Sequence, residues 1–199
     1  MIVIGLTGNI ACGKSVVANM LRDLGAEVID MDKVAHQVMA PNTPTYARIV
    51  EEFGPAILTD SGEIDRGKLG AIVFADPSAL ARLDRIVHPS VLERTDELVA
   101  RSTAKVVVVE AIKLIESGYH KKCDSIWVVT CSKKQQIMRL CKDRRLSRAL
   151  ALMRIEAQGP PEHKLRYADV VIDNSGTLEH TRQQVQENWH KLIQRLSTS

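Results

Sequence analysis

Apolar and polar positions along this chain change period several times, and each change marks an element. Ile2-Val3-Ile4-Gly5-Leu6-Thr7 is a short apolar run rich in β-branched residues, which predicts a strand. After Lys14 the apolar residues Val17, Met20, Leu21 and Leu24 recur at helical spacing until Gly25 offers a C-cap. Glu27 to Asp30 reads as a second short strand, and breaks follow at Pro41, Pro44, Gly54, Pro55 and Gly62. From Asp76-Pro77, an N-cap and N1 pair, a helical pattern runs through Leu80, Leu83 and Val87, is interrupted at His88-Pro89, and resumes through Val91, Leu92, Thr95 and Leu98-Val99. That stretch predicts a helical subdomain.

Further on, Lys105 to Glu110 holds four consecutive valines, as expected of a central strand buried on both faces, and Ser125 to Thr130 reads the same way. Ala168 to Asp173 supplies a third late strand, and a last helix from about Thr177 to Leu196 carries Val185, Trp189, Leu192, Ile193 and Leu196 on one face, as core packing. Strands alternating with helices imply an α/β fold with a doubly wound parallel sheet, whose ligands bind at the C-terminal ends of the strands. With no repeat, low-complexity stretch or long linker, one body with insertions is expected over residues 1–199.

Between the first strand and the first helix, Gly8-Asn9-Ile10-Ala11-Cys12-Gly13-Lys14-Ser15 fits the phosphate-loop template G-x-x-x-x-G-K-[ST] at every fixed position. The glycines let the backbone wrap a phosphate, the N–H groups and helix N-terminus present partial positive charge, and Lys14 adds a full one. Ser15 supplies a hydroxyl for Mg²⁺. A glycine turn before an ordinary helix is the alternative, but the flanking strand and helix are what a nucleoside-triphosphate site requires.

Composition narrows the field. The chain has 199 residues, 45% hydrophobic, and a net charge of +3, which suits polyanionic metabolites but falls short of a nucleic-acid-binding stripe. Aromatic residues make up only 4%, too few for single-strand stacking platforms. Without a secretory signal or an apolar run of membrane-spanning length, a soluble cytoplasmic protein is expected, with no membrane or obligate protein partner. The cysteines Cys12, Cys123, Cys131 and Cys141 form no C-x-x-C pair and no zinc-finger spacing. Cys12 lies in the phosphate loop beside a lysine and near a helix N-terminus, which favour thiolate; a small residue tolerated in the loop is the other reading.

Asp30 and Asp32 stand two apart at the end of the second strand, so an extended chain points them to the same side, where a carboxylate accepts a hydroxyl proton or holds Mg²⁺ through water. A turn or N-cap role is the alternative, above all for Asp30. Glu110 closes the valine strand at a position like that of a Walker B carboxylate. A basic cluster of Arg139, Lys142, Arg144, Arg145, Arg148 and Arg154 reads as a mobile lid that neutralises a transferring phosphoryl group. Asp173-Asn174-Ser175-Gly176 matches D-x-x-G only superficially, and without an N-K-x-D motif adenine is the expected base, held by backbone and Asn174.

The pattern as a whole resembles the dephospho-CoA kinase family over nearly the full chain. The resemblance is carried by Gly5-Leu6-Thr7-Gly8 and the phosphate loop, Val28-Ile29-Asp30-Met31-Asp32, Phe53-Gly54, Gly62 to Leu69, Val73-Phe74, His88-Pro89, Gln136 to Arg139, Arg154 to Gln158, and Ala168 to Gly176. It implies a P-loop kinase that transfers the γ-phosphoryl group of Mg·ATP to the ribose 3′-hydroxyl of dephospho-CoA, giving CoA and ADP. A P-loop kinase for another small alcohol or nucleotide, or a nucleotide-dependent protein-binding switch, are the alternatives. The resemblance further implies Asp32 as general base, Lys14 as the catalytic cation, and ATP contacts at Gly8, Ala11, Cys12, Gly13, Lys14, Ser15, Val16, Arg139 and Asn174. Substrate contacts would come from Thr7, Asp32, Arg66, His88 and Lys113, with a helical CoA-side insertion at about 60–103 and a lid at about 133–165. The chain departs from the family pattern in three places. Asn9, Ala11 and Cys12 replace the usual glycines and serine, and Ile112-Lys113 leaves Lys113 as a new contact or a neutral change. Asp143 occupies the usual place of a lid arginine, so Arg144 takes that role or Arg139 suffices alone.

Overall fold

The computed structural model describes residues 1–197. They form two compact units, one built from residues 1–29 and 102 onward and the other from residues 30–101. The first unit is organised on five strands: β1 (Ile2–Thr7), β2 (Glu27–Asp30), β3 (Val106–Glu110), β4 (Ser125–Thr130) and β5 (Val170–Asp173). They make one parallel sheet in the order β2-β3-β1-β4-β5. Chain order reverses around β1, so the loop that leaves its C-terminal end emerges at the switch point between β3 and β4, where α/β sheets place their ligands. The apolar runs are buried as their pattern predicts: every residue of β3 is buried, and Trp127 in β4 is fully enclosed.

Helices α1 (Lys14–Asp23) and α9 (Leu178–Ser197) cover one face of this sheet. Val17 and Leu21 from α1 and Val185 and Trp189 from α9 join Ile4, Leu6, Val108 and Trp127 in one core, with Leu192 and Ile193 packed at its edge. The side chain of Leu196 lies outside the described residues. After β4 come α6 (Lys133–Asp143), α7 (Arg148–Glu156), which Ser147 caps through Leu150 N–H at 3.3 Å, and the short α8 (Glu162–Leu165). Ile10 of the phosphate loop packs with Leu140, Ala151 and Ile155. The basic hairpin is therefore rooted on the loop itself.

The second unit is helical: α2 (Met31–Val38), α3 (Pro44–Phe53), α4 (Arg66–Ala75) and α5 (Pro77–Arg101) close over Ile49, Ile57, Leu69, Val73 and Ile86. Helices therefore begin at Met31, ahead of the 60–103 span that the pattern singles out. Two of the breaks in this stretch turn out to be helix ends. Pro44 sits in the first turn of α3 with Thr43 as its cap, and Gly54, at φ +78°, ends it. The interruption expected at His88-Pro89 is absent, because α5 runs through it unbroken. A proline inside a helix costs about 3 kcal/mol. Ile86 and Val91, buried on either side, each contribute about 1.5–3 kcal/mol and hold the helix together across it.

Candidate active site

The phosphate loop owes its course to two glycines. Gly8 has φ +154°, and a Cβ there would stand 2.3 Å from the Val129 carbonyl oxygen; Gly13 has φ +92°, and its Cβ would stand 2.1 Å from Asn174 Nδ2. No side chain fits at either position. Gly13 is also the N-cap of α1, and no side chain caps its first turn, which holds no acidic residue. The helix thus presents its N-terminal N–H groups and positive dipole end without a built-in acceptor, which is the electrostatic requirement of a phosphate site.

Loop carbonyls are taken up by side chains from outside the loop. Gln136 Nε2 donates to the Ile10 carbonyl at 2.8 Å, Arg139 Nη1 to Ala11 at 3.0 Å, and Asn174 Nδ2 to Cys12 at 2.8 Å. Gln158 Oε1 accepts from Ile10 N–H at 2.6 Å. Arg139 Nη2 also donates to the Asn174 carbonyl at 2.9 Å, and Asn174 Oδ1 accepts from Thr181 Oγ1 at 2.9 Å. These contacts support Ala11 at φ +60°, a conformation that costs a non-glycine residue about 1–2 kcal/mol. Arg139 and Asn174, expected to touch ATP, spend these groups on the loop in this structure. Thr7, expected to touch substrate, is fully buried and donates to the Ile112 carbonyl at 3.2 Å.

Ser15 Oγ donates to Glu110 Oε1 at 3.2 Å. The parallel register sets Glu110 beside Leu6, one residue before Thr7 and the loop, so the carboxylate at the end of β3 faces the start of α1. Ser15 is exposed and Glu110 only 8% exposed, giving a hydroxyl and a carboxylate side by side. Hard oxygens of this kind fit Mg²⁺, which takes one or two protein oxygens and fills its shell with water and phosphate.

Asp32 does not share a strand face with Asp30, because β2 ends at Asp30 and Asp32 lies in the first turn of α2. The two-residue alternation expected of an extended chain fails because Asp30 caps the helix, accepting from Asp32 N–H at 3.0 Å and Lys33 N–H at 3.2 Å. Asp32, Arg66 at the start of α4, and His88 within α5 are all exposed in the second unit. Lys113 and Arg144, the latter closing α6 as its C-cap, are exposed in the first unit, as is Val16 on α1.

Two features escape a linear reading. Lys164 is 3% exposed and donates to the Ile112 carbonyl at 2.7 Å and to Glu116 Oε1 at 2.6 Å. Burial works to raise the Glu116 carboxyl, but the Lys164 hydrogen bond and charge outweigh it and hold the group below its ordinary value. Gln136 is the second feature; a glutamine four residues before the buried Leu140, on the inward face of α6, was the signal available for it. Beside the loop lies a cavity of about 530 Å³ walled by Gly8, Cys12, Cys131, Gln136, Pro160 and Lys164 among others.

The profile of the family described as Dephospho-CoA kinase matches residues 2–180. A dephospho-CoA kinase of Thermobifida fusca is 44% identical over 197 residues, covering 98% of both chains. Among solved structures, a protein of Thermus thermophilus superposes with TM-score 0.83 at 32% identity, covering 96% of this chain and 97% of the other. The dephospho-CoA kinase from Campylobacter jejuni superposes with TM-score 0.68 at 30% identity, covering 98% and 97%. A phosphate loop with an uncapped helix behind it, at the switch point of a parallel sheet, and matches of this length place the chain in the dephospho-CoA kinase family.

Proposed function

We propose that this chain performs the family reaction, ATP-dependent phosphorylation of the ribose 3′-hydroxyl of dephospho-CoA, with Lys14, Ser15, Asp32 and Arg144 as its working groups. Family membership over nearly the whole length, joined to an open helix N-terminus behind Gly13, carries the reading. The loop amides and the dipole of α1 bind the phosphate chain, and Lys14 adds a full charge where negative charge gathers during transfer. Ser15 and Glu110 would hold Mg²⁺, which when bound neutralises phosphate charge. Asp32 takes the proton of the attacking hydroxyl, and Arg144 meets the phosphoryl group when the hairpin closes. Transfer is in line, and positioning with charge neutralisation supplies most of the rate. Arg66, His88 and Lys113, all cationic or titratable and exposed, would contact the acceptor, which carries phosphates of its own.

In this reading the substrates are ATP and dephospho-CoA, the compartment is the cytoplasm, and no nucleic acid, membrane or obligate protein partner takes part. No helix among the described residues is long and apolar enough to cross a membrane. A coupled ADP-release assay with Mg·ATP tests the proposal: turnover appears with dephospho-CoA and stays at the hydrolysis background without it. Equal release with any small alcohol or nucleoside, and none specific to dephospho-CoA, would overturn it.

A further inference from the structure

The phosphate loop carries a thiol, and a second thiol meets it from the end of β4. Cys12 is only 4% exposed, and its sulfur accepts from Gln136 Nε2 at 3.5 Å. Cys131 Sγ donates to the Ala11 carbonyl at 3.7 Å, which sets it against the peptide joining Ala11 to Cys12. Both side chains wall the cavity beside the loop. A disulfide asks two such thiols to approach to the bonded separation of about 2.05 Å, and Cys131 already lies against the peptide that leads into Cys12.

Their electrostatics are unequal. The hydrogen bond from Cys131 lowers the Cys12 thiol; burial opposes it, but a contact with the Cys131 backbone and the charges of Lys14 and Arg139 add to the lowering and bring Cys12 to about 7. Cys131 is pushed up by Cys12 and by burial, with Asp173 adding to the rise against Arg139, so it stays protonated and donates. Cys123, by contrast, is pushed up to about 12 by burial and stays inert. One nucleophilic thiolate beside one resolving thiol is the arrangement a small oxidant acts on.

We propose that Cys12 and Cys131 are a dithiol modification site for hydrogen peroxide, and that the resulting disulfide ties the phosphate loop to β4 and weakens nucleotide binding. The Cys12 thiolate attacks one peroxide oxygen, the O–O bond breaks, and a sulfenic acid forms while the departing hydroxide takes a proton and leaves as water. Cys131 sulfur then attacks the sulfenic sulfur, the S–O bond breaks, and hydroxide leaves with the Cys131 proton as a second water. Two electrons pass from the sulfurs to the peroxide. Drawing Cys12 toward Cys131 pulls its carbonyl from Asn174 Nδ2 and shifts the loop amides that follow.

The test uses the full chain, reduced and then treated with hydrogen peroxide. Peptide mapping should find a Cys12–Cys131 linked pair with two hydrogens lost, and ATP affinity by calorimetry should fall on the order of tenfold or more and return with dithiothreitol. Cys131→Ser should bind ATP as the parent does before treatment and show neither the linked peptide nor a dithiothreitol-reversible loss afterwards. The proposal is overturned by absence of the linked pair in the parent, by a linked pair that leaves ATP affinity unchanged, or by the same reversible loss in Cys131→Ser. Because the readouts are mass and nucleotide binding, they are independent of which acceptor the enzyme phosphorylates.

Discussion

Single side chains divide between those that hold backbone and those left exposed for the chemistry proposed above. Asp30 and Asp32 illustrate the division, since one is spent on the cap of α2 and the other is exposed in its first turn. Asp32→Asn keeps shape but removes proton acceptance, so saturated turnover should fall roughly 10²- to 10⁴-fold with the fold unchanged. Asp30→Ala should instead lower unfolding free energy by about 1 kcal/mol, measured in urea, with a smaller effect on rate, because it loses a cap. Loss of ATP affinity at preserved turnover in Asp32→Asn would make that residue a metal-site group. Arg139 and Arg144 divide likewise. The Arg139 guanidinium donates to the Ala11 and Asn174 carbonyls, whereas Arg144 is exposed at the end of α6. Arg144→Ala should therefore lower kcat on the order of 10²-fold with little change in ATP affinity, and lysine there should restore only part, lacking the planar fork. Arg145→Ala and Arg148→Ala should stay near wild type; equal, mild losses in all three would remove a dedicated arginine from this segment.

At the scale of elements, the phosphate loop is held by α6, by the end of β5 and by the segment after α7. Asn174 carries the most of this burden, joining the Cys12 carbonyl to Thr181 of α9 while nearly fully buried. Asn174→Ala takes the side-chain donor from the Cys12 carbonyl, while Thr181 Oγ1 keeps its bond to the Thr177 carbonyl, so it should cost about 1–3 kcal/mol in denaturant unfolding and weaken ATP binding in the same protein. Destabilisation with unchanged ATP affinity would mean that the loop keeps its course without this bond. The continuous α5 is a second lesson of this scale. An N–H missing at Pro89 ends a helix in an isolated peptide, yet burial on both sides of the proline outweighs that loss here.

For the molecule as a whole, nucleotide binding and folding are linked, because the loop joins the sheet core to the α6–α7 hairpin through Ile10. ATP at about a hundred times its Kd should add about 2.7 kcal/mol to stability. In a chain of this length that raises Tm by roughly 5–10 °C in a thermal-shift series. Lys14→Ala should keep its nucleotide-free Tm and circular dichroism, lose most of the shift, and lose detectable phosphoryl transfer. Near-wild-type turnover in that variant would remove Lys14 from the chemistry.

What the amino-acid order determined by itself was local. Runs of valine and isoleucine give buried strands, a 3.6-residue period gives α1 and α9, and eight consecutive residues place a phosphate loop between the first strand and helix, because spacing along a chain encodes the period of an element and the reach of a turn. Boundaries were legible wherever a cap sat beside a periodic run, as at Gly25 or Asp76-Pro77, and misread where a residue taken for a break served a helix start, as at Pro44. The tertiary structure alone decided the partners of the loop. Asn174 is 162 positions from Cys12, Arg139 is 128 from Ala11 and Gln136 is 126 from Ile10, and no period spans such intervals. Those contacts, and the pairing of Cys12 with Cys131, exist because the order β2-β3-β1-β4-β5 brings the C-terminal ends of β1, β4 and β5 side by side, where side chains far apart in sequence compete for the same few backbone groups.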